Sequence, residues 1–335
     1  MTIHAIHIGF SLAALSLLAA CSGGDGDGSP STFGGFNPPP TSQLVTITES
    51  NAPAIAGVAA EQIIEDSLIS TLTTTGIPVV GAGSLAASDM VRLSGGSLVP
   101  GTAAATLPTQ DCAVSGTVDI TFDVNNPETI SLGDEFAFEF DACNDGAGAT
   151  ISGGLGMTVT GFNGDPGSDQ FFLQLRLELS AFTVTQDGMT AGAEGIVNIS
   201  IDSRQPPVTT ISVSSSAFTV THGGMSETVF DLDITIVEDQ SVFPTAVSVD
   251  TSFRLSSPRL GGDIIVATSI ALESFGEEYP YDGEFTITGD ASASVTVIAL
   301  GGDSVRLEID LDGDGSPDVT VDTTWTEVMA QADAA

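Results

Sequence analysis

The stretch Ser304-Val-Arg-Leu-Glu-Ile-Asp-Leu-Asp-Gly-Asp-Gly-Ser-Pro-Asp-Val-Thr-Val-Asp-Thr-Thr-Trp325 places an acidic, glycine-rich loop between two segments in which apolar and polar residues alternate. Alternation with a period of two is typical of β-strands that bury one face. Helices on either side of the loop would instead repeat their apolar residues every three or four positions. The stretch therefore predicts a β-hairpin with the acidic loop at its tip, and it places Trp325 on the second strand.

The acidic residues of this loop recur at the spacing that calcium loops use. Asp310, Asp312, Asp314 and Asp318 supply side-chain oxygens at positions 1, 3, 5 and 9, and Ser316 supplies its carbonyl at position 7. A glycine at position 6 permits a tight bend, but valine replaces the bidentate glutamate of position 12. We predict a weak calcium site, with a dissociation constant of roughly 10⁻⁴–10⁻³ M. The alternative is an acidic turn without an ion.

The composition combines an extreme negative charge with enough apolar residues for a large core. The chain of 335 residues has 44 Asp and Glu against six Arg and Lys, all of them arginine, and its formal net charge is −38. Such a charge repels nucleic acid and attracts divalent cations, so nucleic-acid binding is excluded as a function. The same charge is equally typical of a soluble surface or of adaptation to a salty medium.

Alternation of apolar and polar residues continues through most of the chain and predicts an all-β protein. We expect one large continuous antiparallel sheet, as a curved sheet, an open barrel or a sandwich, in a β domain that spans residues 111–329. The predicted strands before the acidic hairpin are 117–124, 135–141, 156–162, 171–185, 195–202, 208–214, 228–238, 246–255, 264–272, 284–288 and 294–300.

A short internal repeat lies within this region. Ser180-Ala-Phe-Thr-Val-Thr185 recurs as Ser216-Ala-Phe-Thr-Val-Thr221, and Gly-Met follows each copy after two residues. Two copies are too few for a solenoid, which needs three or more units. The repeat therefore indicates similar hairpins within one sheet.

Residues 44–110 are predicted to be an N-terminal segment with one helix. Asn51 suits the position before a helix, and Pro53 suits its first turn. Apolar residues then fall near one face from Ala52 to about Ser70, which predicts a helix packed on the sheet. The alternative is a mobile helix that docks on a partner or gates a cavity. Residues 73–109 are predicted to be irregular.

The N-terminus resembles that of a bacterial lipoprotein. The apolar run before Ala20 is too short to span a bilayer, and Leu18-Ala-Ala-Cys21 resembles a lipobox. The resemblance implies a signal peptide at 1–20, a lipid such as palmitate on Cys21 and, through Ser22, sorting to the outer membrane; a non-lipidated signal peptide is the alternative. Residues 21–43 are rich in Gly, Ser and Pro and are predicted to be a tether.

The two cysteines that remain flank a predicted hairpin. Cys112 precedes the strand at 117–124, and Cys143 follows the strand at 135–141. An antiparallel hairpin brings these positions together, so an oxidising compartment favours a Cys112–Cys143 disulfide. A redox function would instead favour a C-x-x-C spacing.

Scattered motifs of the chain resemble a group of β-rich bacterial envelope lipoproteins. The motifs are Leu132-Gly-Asp134, Phe138-Glu-Phe-Asp-Ala-Cys-Asn-Asp-Gly146, the acidic loop from Asp310 and Thr323-Thr-Trp325. The resemblance implies an envelope location and a lipid anchor in the membrane; it does not indicate an activity, a ligand or a protein partner.

Three classes of function follow from these patterns. An enzyme is not favoured, because His222 is the single histidine after the signal peptide and no G-x-S-x-G motif accompanies it; a pair of catalytic carboxylates stays open. A carrier of a lipid or other apolar ligand is the alternative, with Leu173, Leu175, Leu177 and Leu179 facing a cavity. A tethered structural or interaction protein, stabilised by calcium and one disulfide, is the function that we predict.

Overall fold

The computed structural model describes residues 42–332, with gaps at 65–103, 107, 126–130, 145, 147, 165–169, 187 and 277–278. Within this part of the chain, strands form one antiparallel sheet and two short helices accompany it, which confirms the predicted all-β class. The elements are α1 (Ala52–Ile64), β1 (Ala104–Thr106), β2 (Gln110–Asp111), β3 (Ser115–Asp123), β4 (Glu135–Asn144), β5 (Ala149–Gly164), β6 (Phe171–Gln186), β7 (Met189–Gln205), β8 (Val208–His222), β9 (Met225–Asp239), β10 (Ala246–Ser257), β11 (Gly262–Ser274), β12 (Asp282–Thr288), β13 (Ser294–Ala299), β14 (Ser304–Asp310), β15 (Val319–Thr324) and α2 (Trp325–Ala332).

From β3 to β15, every strand of this sheet pairs with its neighbours in the sequence. The spatial order is β1-β3-β4-β5-β6-β7-β8-β9-β10-β11-β12-β13-β14-β15, and β2 pairs with β3. Strands β1 and β15 lie at opposite edges, so the sheet is open. The prediction that residues 73–109 are irregular is wrong at β1, which pairs with β3 from Ala104 to Thr106 and starts the sheet before residue 111.

The internal repeat lies where the sheet is bulged. In the first copy, Ala181 has a φ of +45° and lies at a register shift between β6 and β7. In the second copy, Ser216 and Ala217 lie at a register shift between β8 and β7, between the pairs Ser214–Asn198 and Phe218–Gly195. Bulges of this kind bend a strand and increase its twist. Both copies therefore belong to similar hairpins of one curved sheet.

Helix α1 begins at Ala52, as predicted, and the structure describes it to Ile64; the predicted continuation to about Ser70 lies outside the described residues. The Asn51 carboxamide oxygen accepts a hydrogen bond from the Thr48 N–H (2.8 Å), which fixes the turn before the helix. Ile55 and Val58 are buried among side chains of the main core. The helix packs against α2 and against β12, β13 and β14, as expected for a helix that covers a sheet.

The prediction that Trp325 lies on a strand is wrong, because Trp325 begins α2. Thr324 Oγ1 accepts a hydrogen bond from the Glu327 N–H (3.1 Å), and the Asp303 carboxylate accepts one from the Thr326 N–H (3.0 Å). Thr324 and Glu327 have the spacing of a capping box, which starts a helix. The indole of Trp325 is completely buried and stacks on Tyr279, with ring centroids 6.2 Å apart.

One hydrophobic core extends from β5 to β15 and includes both helices. Leu173, Leu175, Leu177 and Leu179 are all buried in it, among valine and isoleucine side chains of neighbouring strands. Their stripe therefore contributes to a packed interior. Neither helix of the described residues has the length and apolar character needed to cross a membrane.

Candidate functional site

The acidic loop is the tip of the β14–β15 hairpin, as predicted. Strands β14 and β15 pair in register from Ser304 with Thr324 to Ile309 with Val319. Gly315, at position 6, has a φ of +86°, a left-handed conformation that glycine adopts without steric cost. The loop therefore turns where the sequence predicts the bend.

Three of the predicted ligands come together at this tip. Asp310, Asp312 and Asp314 each offer one carboxylate oxygen, and these oxygens lie within 4.8 Å of one another. Asp310 is buried, while Asp312 and Asp314 are exposed to solvent. Oxygen ligands of this kind suit hard divalent cations. The group can therefore hold a metal ion on the solvent side of the loop.

Backbone hydrogen bonds fix the first carboxylate of the group. Asp310 Oδ1 accepts a hydrogen bond from the Gly313 N–H (2.7 Å), and Oδ2 accepts one from the Gly315 N–H (2.8 Å). These bonds, with Gly315 the largest contributor, hold the pKa of Asp310 below its ordinary value. The carboxylate is therefore charged and oriented in the absence of a cation.

The other two predicted ligands have different surroundings. Asp318 is not one of the three grouped carboxylates, and its Oδ2 accepts a hydrogen bond from the Leu311 N–H (2.8 Å). Ser316 donates its N–H to Asp314 Oδ1 (2.8 Å), which orients that carboxylate; a ligand function for the Ser316 carbonyl stays a prediction. Calcium takes six to eight oxygens. An ion here would need additional ligands besides the three carboxylates.

The predicted disulfide is confirmed. Cys112 and Cys143 are bonded, with their Cα atoms 5.5 Å apart, and they link the start of β3 to the end of β4. Cys21, the predicted lipidation site, lies outside the described residues, as do most of the residues of the predicted tether.

We expect removal of this disulfide to lower the stability of the β3–β4 edge. The bond closes a loop with a sequence separation of 31, and the chain-entropy model gives about 3–4 kcal/mol for such a loop. The measurement is urea unfolding of Cys112→Ser/Cys143→Ser beside the unchanged chain. Because Met189→Ser alters an exposed side chain far along the sheet, it should leave the midpoint unchanged; an equal effect of both variants would contradict the prediction.

The single histidine of the predicted mature chain lies at a hairpin tip. His222 is exposed at the tip between β8 and β9 and pairs along the backbone with Ala191 of β7. A nucleophile and an orienting carboxylate would have to approach it from that solvent-exposed tip. The expectation of a non-enzymatic protein stays a prediction.

The described chain begins at a clasp, which we define as Ser42, Val45, Arg254 and Asp263. The Asp263 carboxylate is completely buried; it accepts a hydrogen bond from the Ser42 hydroxyl and forms an ion pair with Arg254 (2.7 Å). Arg254 also donates to the Ser42 carbonyl (2.8 Å), and the Val45 N–H donates to the Asp263 carbonyl (2.9 Å). The clasp therefore binds the end of the predicted tether to the start of β11.

The charge of the clasp carboxylate depends on these partners. Burial alone would raise the pKa of Asp263, because the charged form loses its hydration. Hydrogen bonds from Ser42, Ser256 and Arg254 outweigh burial and hold the pKa below its ordinary value. The carboxylate is therefore ionised at neutral pH. It attracts the Ser42 hydroxyl directly, and it attracts the Arg254 guanidinium, which in turn binds the Ser42 carbonyl.

A second, partly buried ion pair joins α1 to the sheet. Arg259, in the turn after β10, donates to both carboxylate oxygens of Glu227 (2.9 and 3.1 Å) and to Glu61 of α1 (2.6 Å). Ser257 (2.5 Å) and Gln62 (3.1 Å) also donate to the Glu227 carboxylate. Burial opposes the charge of Arg259, but hydrogen bonds and the charges of Glu227 and Glu61 raise its pKa. This network was not predicted from the sequence.

One signal for both ion pairs was present in the composition. A chain with 44 acidic residues and six arginines leaves most carboxylates without a basic partner. An arginine is well suited to a buried pair, because its planar guanidinium binds a carboxylate through two parallel hydrogen bonds. Each of the few arginines was therefore a candidate for such a pair.

Comparison of the chain with protein-family models, with curated proteins and with solved structures finds no match.

Proposed function

We propose that this chain is a non-enzymatic lipoprotein of the bacterial outer membrane, held by a lipid on Cys21. Its open sheet would serve as a structural or interaction domain, separated from the membrane by the tether at 21–43. The observation that carries the proposal is the clasp, because it fixes Ser42 to a buried carboxylate at the start of β11. A restraint on the tether would pass directly into the sheet at this point.

The test is incorporation of an alkyne-labelled fatty acid during expression of the full chain in a Gram-negative host. We expect label in the protein and recovery in the outer-membrane fraction, with both lost in Cys21→Ser. Cys112→Ser/Cys143→Ser is the matched control, since it removes cysteines while it leaves Cys21 in place. Label that persists in Cys21→Ser, or its absence from the unchanged chain, would refute a lipid anchor at this residue.

We also propose that the metal ion of the Asp310, Asp312 and Asp314 group is calcium. The ligands are hard oxygens on a hairpin tip, and no bidentate glutamate follows at position 12. Calcium accepts irregular sets of oxygen ligands and exposed sites more readily than magnesium, which requires a near-octahedral arrangement. The ion would stabilise the tip by offsetting repulsion among the three carboxylates.

We predict that calcium raises the melting temperature by a few degrees. An ion at ten times its dissociation constant adds about 1.4 kcal/mol to the free energy of unfolding. Thermal unfolding with calcium and with a chelator measures the effect, and Asp312→Ala/Asp314→Ala should abolish it. Asp119→Ala/Glu139→Ala, which removes two carboxylates that face each other across β3 and β4, should keep it. A response that both double variants retain, or both lose, would assign it to general charge screening.

A further inference from the structure

One end of the sheet carries an exposed apolar surface that the proposed function leaves without a partner. The tips of the β7–β8, β9–β10 and β11–β12 hairpins lie side by side there. The Phe243 side chain is 99% exposed, and Phe275 is 38% exposed. Contiguous apolar surface that faces water is a mark of an interaction site. We call this surface the aromatic end and define it by Pro207, Val242, Phe243, Pro244, Phe275 and Tyr281.

Contacts between the hairpin tips make the aromatic end one surface. The Gln240 N–H donates to the Pro207 carbonyl (3.1 Å), which joins the β9–β10 tip to the β7–β8 tip. On the other side, a Cβ atom at Gly276 would lie 3.6 Å from the Pro244 Cβ, so the β11–β12 connection touches the same tip. Phe243 therefore lies between two neighbouring tips and presents its ring to solvent.

The aromatic rings of the β11–β12 connection are held in place. Phe275 and Tyr281 stack with centroids 4.8 Å apart and an interplanar angle of 11°. The Tyr281 hydroxyl donates to the Glu273 carboxylate (2.6 Å). A partner that packs on these rings would lose little conformational entropy on the protein's side, since the rings are already ordered.

The rim of the aromatic end is negatively charged. Glu238 and Asp239 end β9, and Glu273 pairs with Asp282 across β11 and β12. Arg204 lies on the neighbouring β7–β8 tip, but its guanidinium binds Asp202 (2.6 Å) and that pair is neutral as a whole. The aromatic end therefore offers an apolar centre flanked by carboxylates of β9, β11 and β12.

We propose that the aromatic end docks a basic polypeptide segment that carries an apolar anchor side chain. Carboxylates of the rim attract arginine or lysine, and the exposed rings of Phe243 and Phe275 accept the anchor. A second copy of this chain is disfavoured, because two molecules of net charge −38 repel each other. A bilayer is disfavoured because the aromatic end and the predicted membrane tether lie at opposite ends of β10. Phe243 precedes the first residue of β10, whereas the clasp, which binds the end of the tether, lies near its last residue. The proposal deepens the proposed function, since it gives the tethered domain a class of partner.

The test measures binding of a defined peptide to the full chain carrying Cys21→Ser, which has no acylation site. The probe is a short fluorescein-labelled peptide in which arginine alternates with leucine, and its fluorescence anisotropy is titrated. We expect saturable binding that Phe243→Ser weakens at least about tenfold, as for the central residue of an interface. Met225→Ser, which alters another exposed apolar side chain, at the tip of β8–β9, should leave the affinity unchanged.

Several results would overturn the proposal. Equal affinity of the unchanged chain and Phe243→Ser would mean general attraction of a basic peptide to an acidic protein. Equal binding of a peptide with glutamate in place of arginine would show that the carboxylates of the rim do not attract the partner. Phe243-dependent sedimentation with phosphatidylcholine vesicles would assign the surface to a bilayer, and Phe243-dependent dimerisation would assign it to a second copy. Because the protein lacks Cys21, none of these results bears on the lipid anchor.

Discussion

Arg259→Ala should lower the free energy of unfolding by about 2–4 kcal/mol, between the about 0–1 kcal/mol of an exposed ion pair and the about 3–5 kcal/mol of a fully buried one, because both side chains of the pair are largely but not completely buried. The loss has two causes. The Glu227 carboxylate would stay in a site where its side chain is 14% exposed, without the two hydrogen bonds that now offset its burial. Glu61 of α1 would lose its contact with the turn after β10. Urea unfolding followed by circular dichroism measures the change.

Two further variants separate burial from loss of an arginine as such. Arg306→Ala removes a pair of similar geometry, in which Nε and Nη2 bind both Asp322 oxygens at 2.7 and 3.3 Å, but both side chains are exposed. Exposed pairs contribute about 0–1 kcal/mol, so its effect should be small. Arg259→Met/Glu227→Leu should recover much of the lost stability, because it removes both charges of the less exposed pair and leaves only the more exposed Glu61 without its partner. Equal, small losses from Arg259→Ala and Arg306→Ala would contradict the prediction.

Gly57→Ala should lower stability by about 1–3 kcal/mol, although alanine is the better helix former by about 1 kcal/mol. Gly57 lies in the middle of α1, where α1 meets α2 backbone to backbone. A Cβ atom there would lie 2.4 Å from the Val328 carbonyl oxygen and 2.8 Å from the Ala332 nitrogen. Both are backbone atoms, so α2 would have to move away as a whole.

Trp325 reports this movement directly. It is the single tryptophan of the chain, it begins α2 and it is completely buried, so its fluorescence should shift to longer wavelength in Gly57→Ala. Gly192→Ala is the control, because its nearest non-neighbouring atom would be 3.4 Å from the new Cβ, an ordinary contact. A rise in melting temperature with unchanged emission in Gly57→Ala would show that the helices have room for a methyl group.

The strands could be predicted because a sheet with one buried face imposes a period of two on every strand that joins it. The predicted segments 171–185 and 246–255 coincide closely with β6 and β10. Helix α2 could not be found by the same criterion, since Thr323, Thr324 and Trp325 continue the alternation of β15. The capping box from Thr324 to Glu327 was the local signal that competed with it, and packing against Gly57 decides the outcome.

The candidate sites also differ in whether their contacts join residues that are close in the sequence or far apart. The positions of Asp310, Asp312 and Asp314 follow from spacing within one loop, so their approach could be predicted. The contact of Arg259 with Glu227 and Glu61 joins residues that are 32 and 198 positions apart. No period or spacing encodes such a contact. It depends on which hairpin tip α1 covers, and that placement exists only once the sheet has formed.

The sequential pairing of the strands determines the order in which this protein can fold. Each hairpin needs only its predecessor, so the sheet can grow as the chain emerges during synthesis, with loop closures that are short and fast. Helix α1 is the exception among the described elements: it precedes every strand, while α2, the helix that packs on it, follows the last strand. A chain cut short before Trp325 would keep every described strand and expose the side of α1 that packs on α2. Full burial of α1 therefore waits until the last described strand has been made.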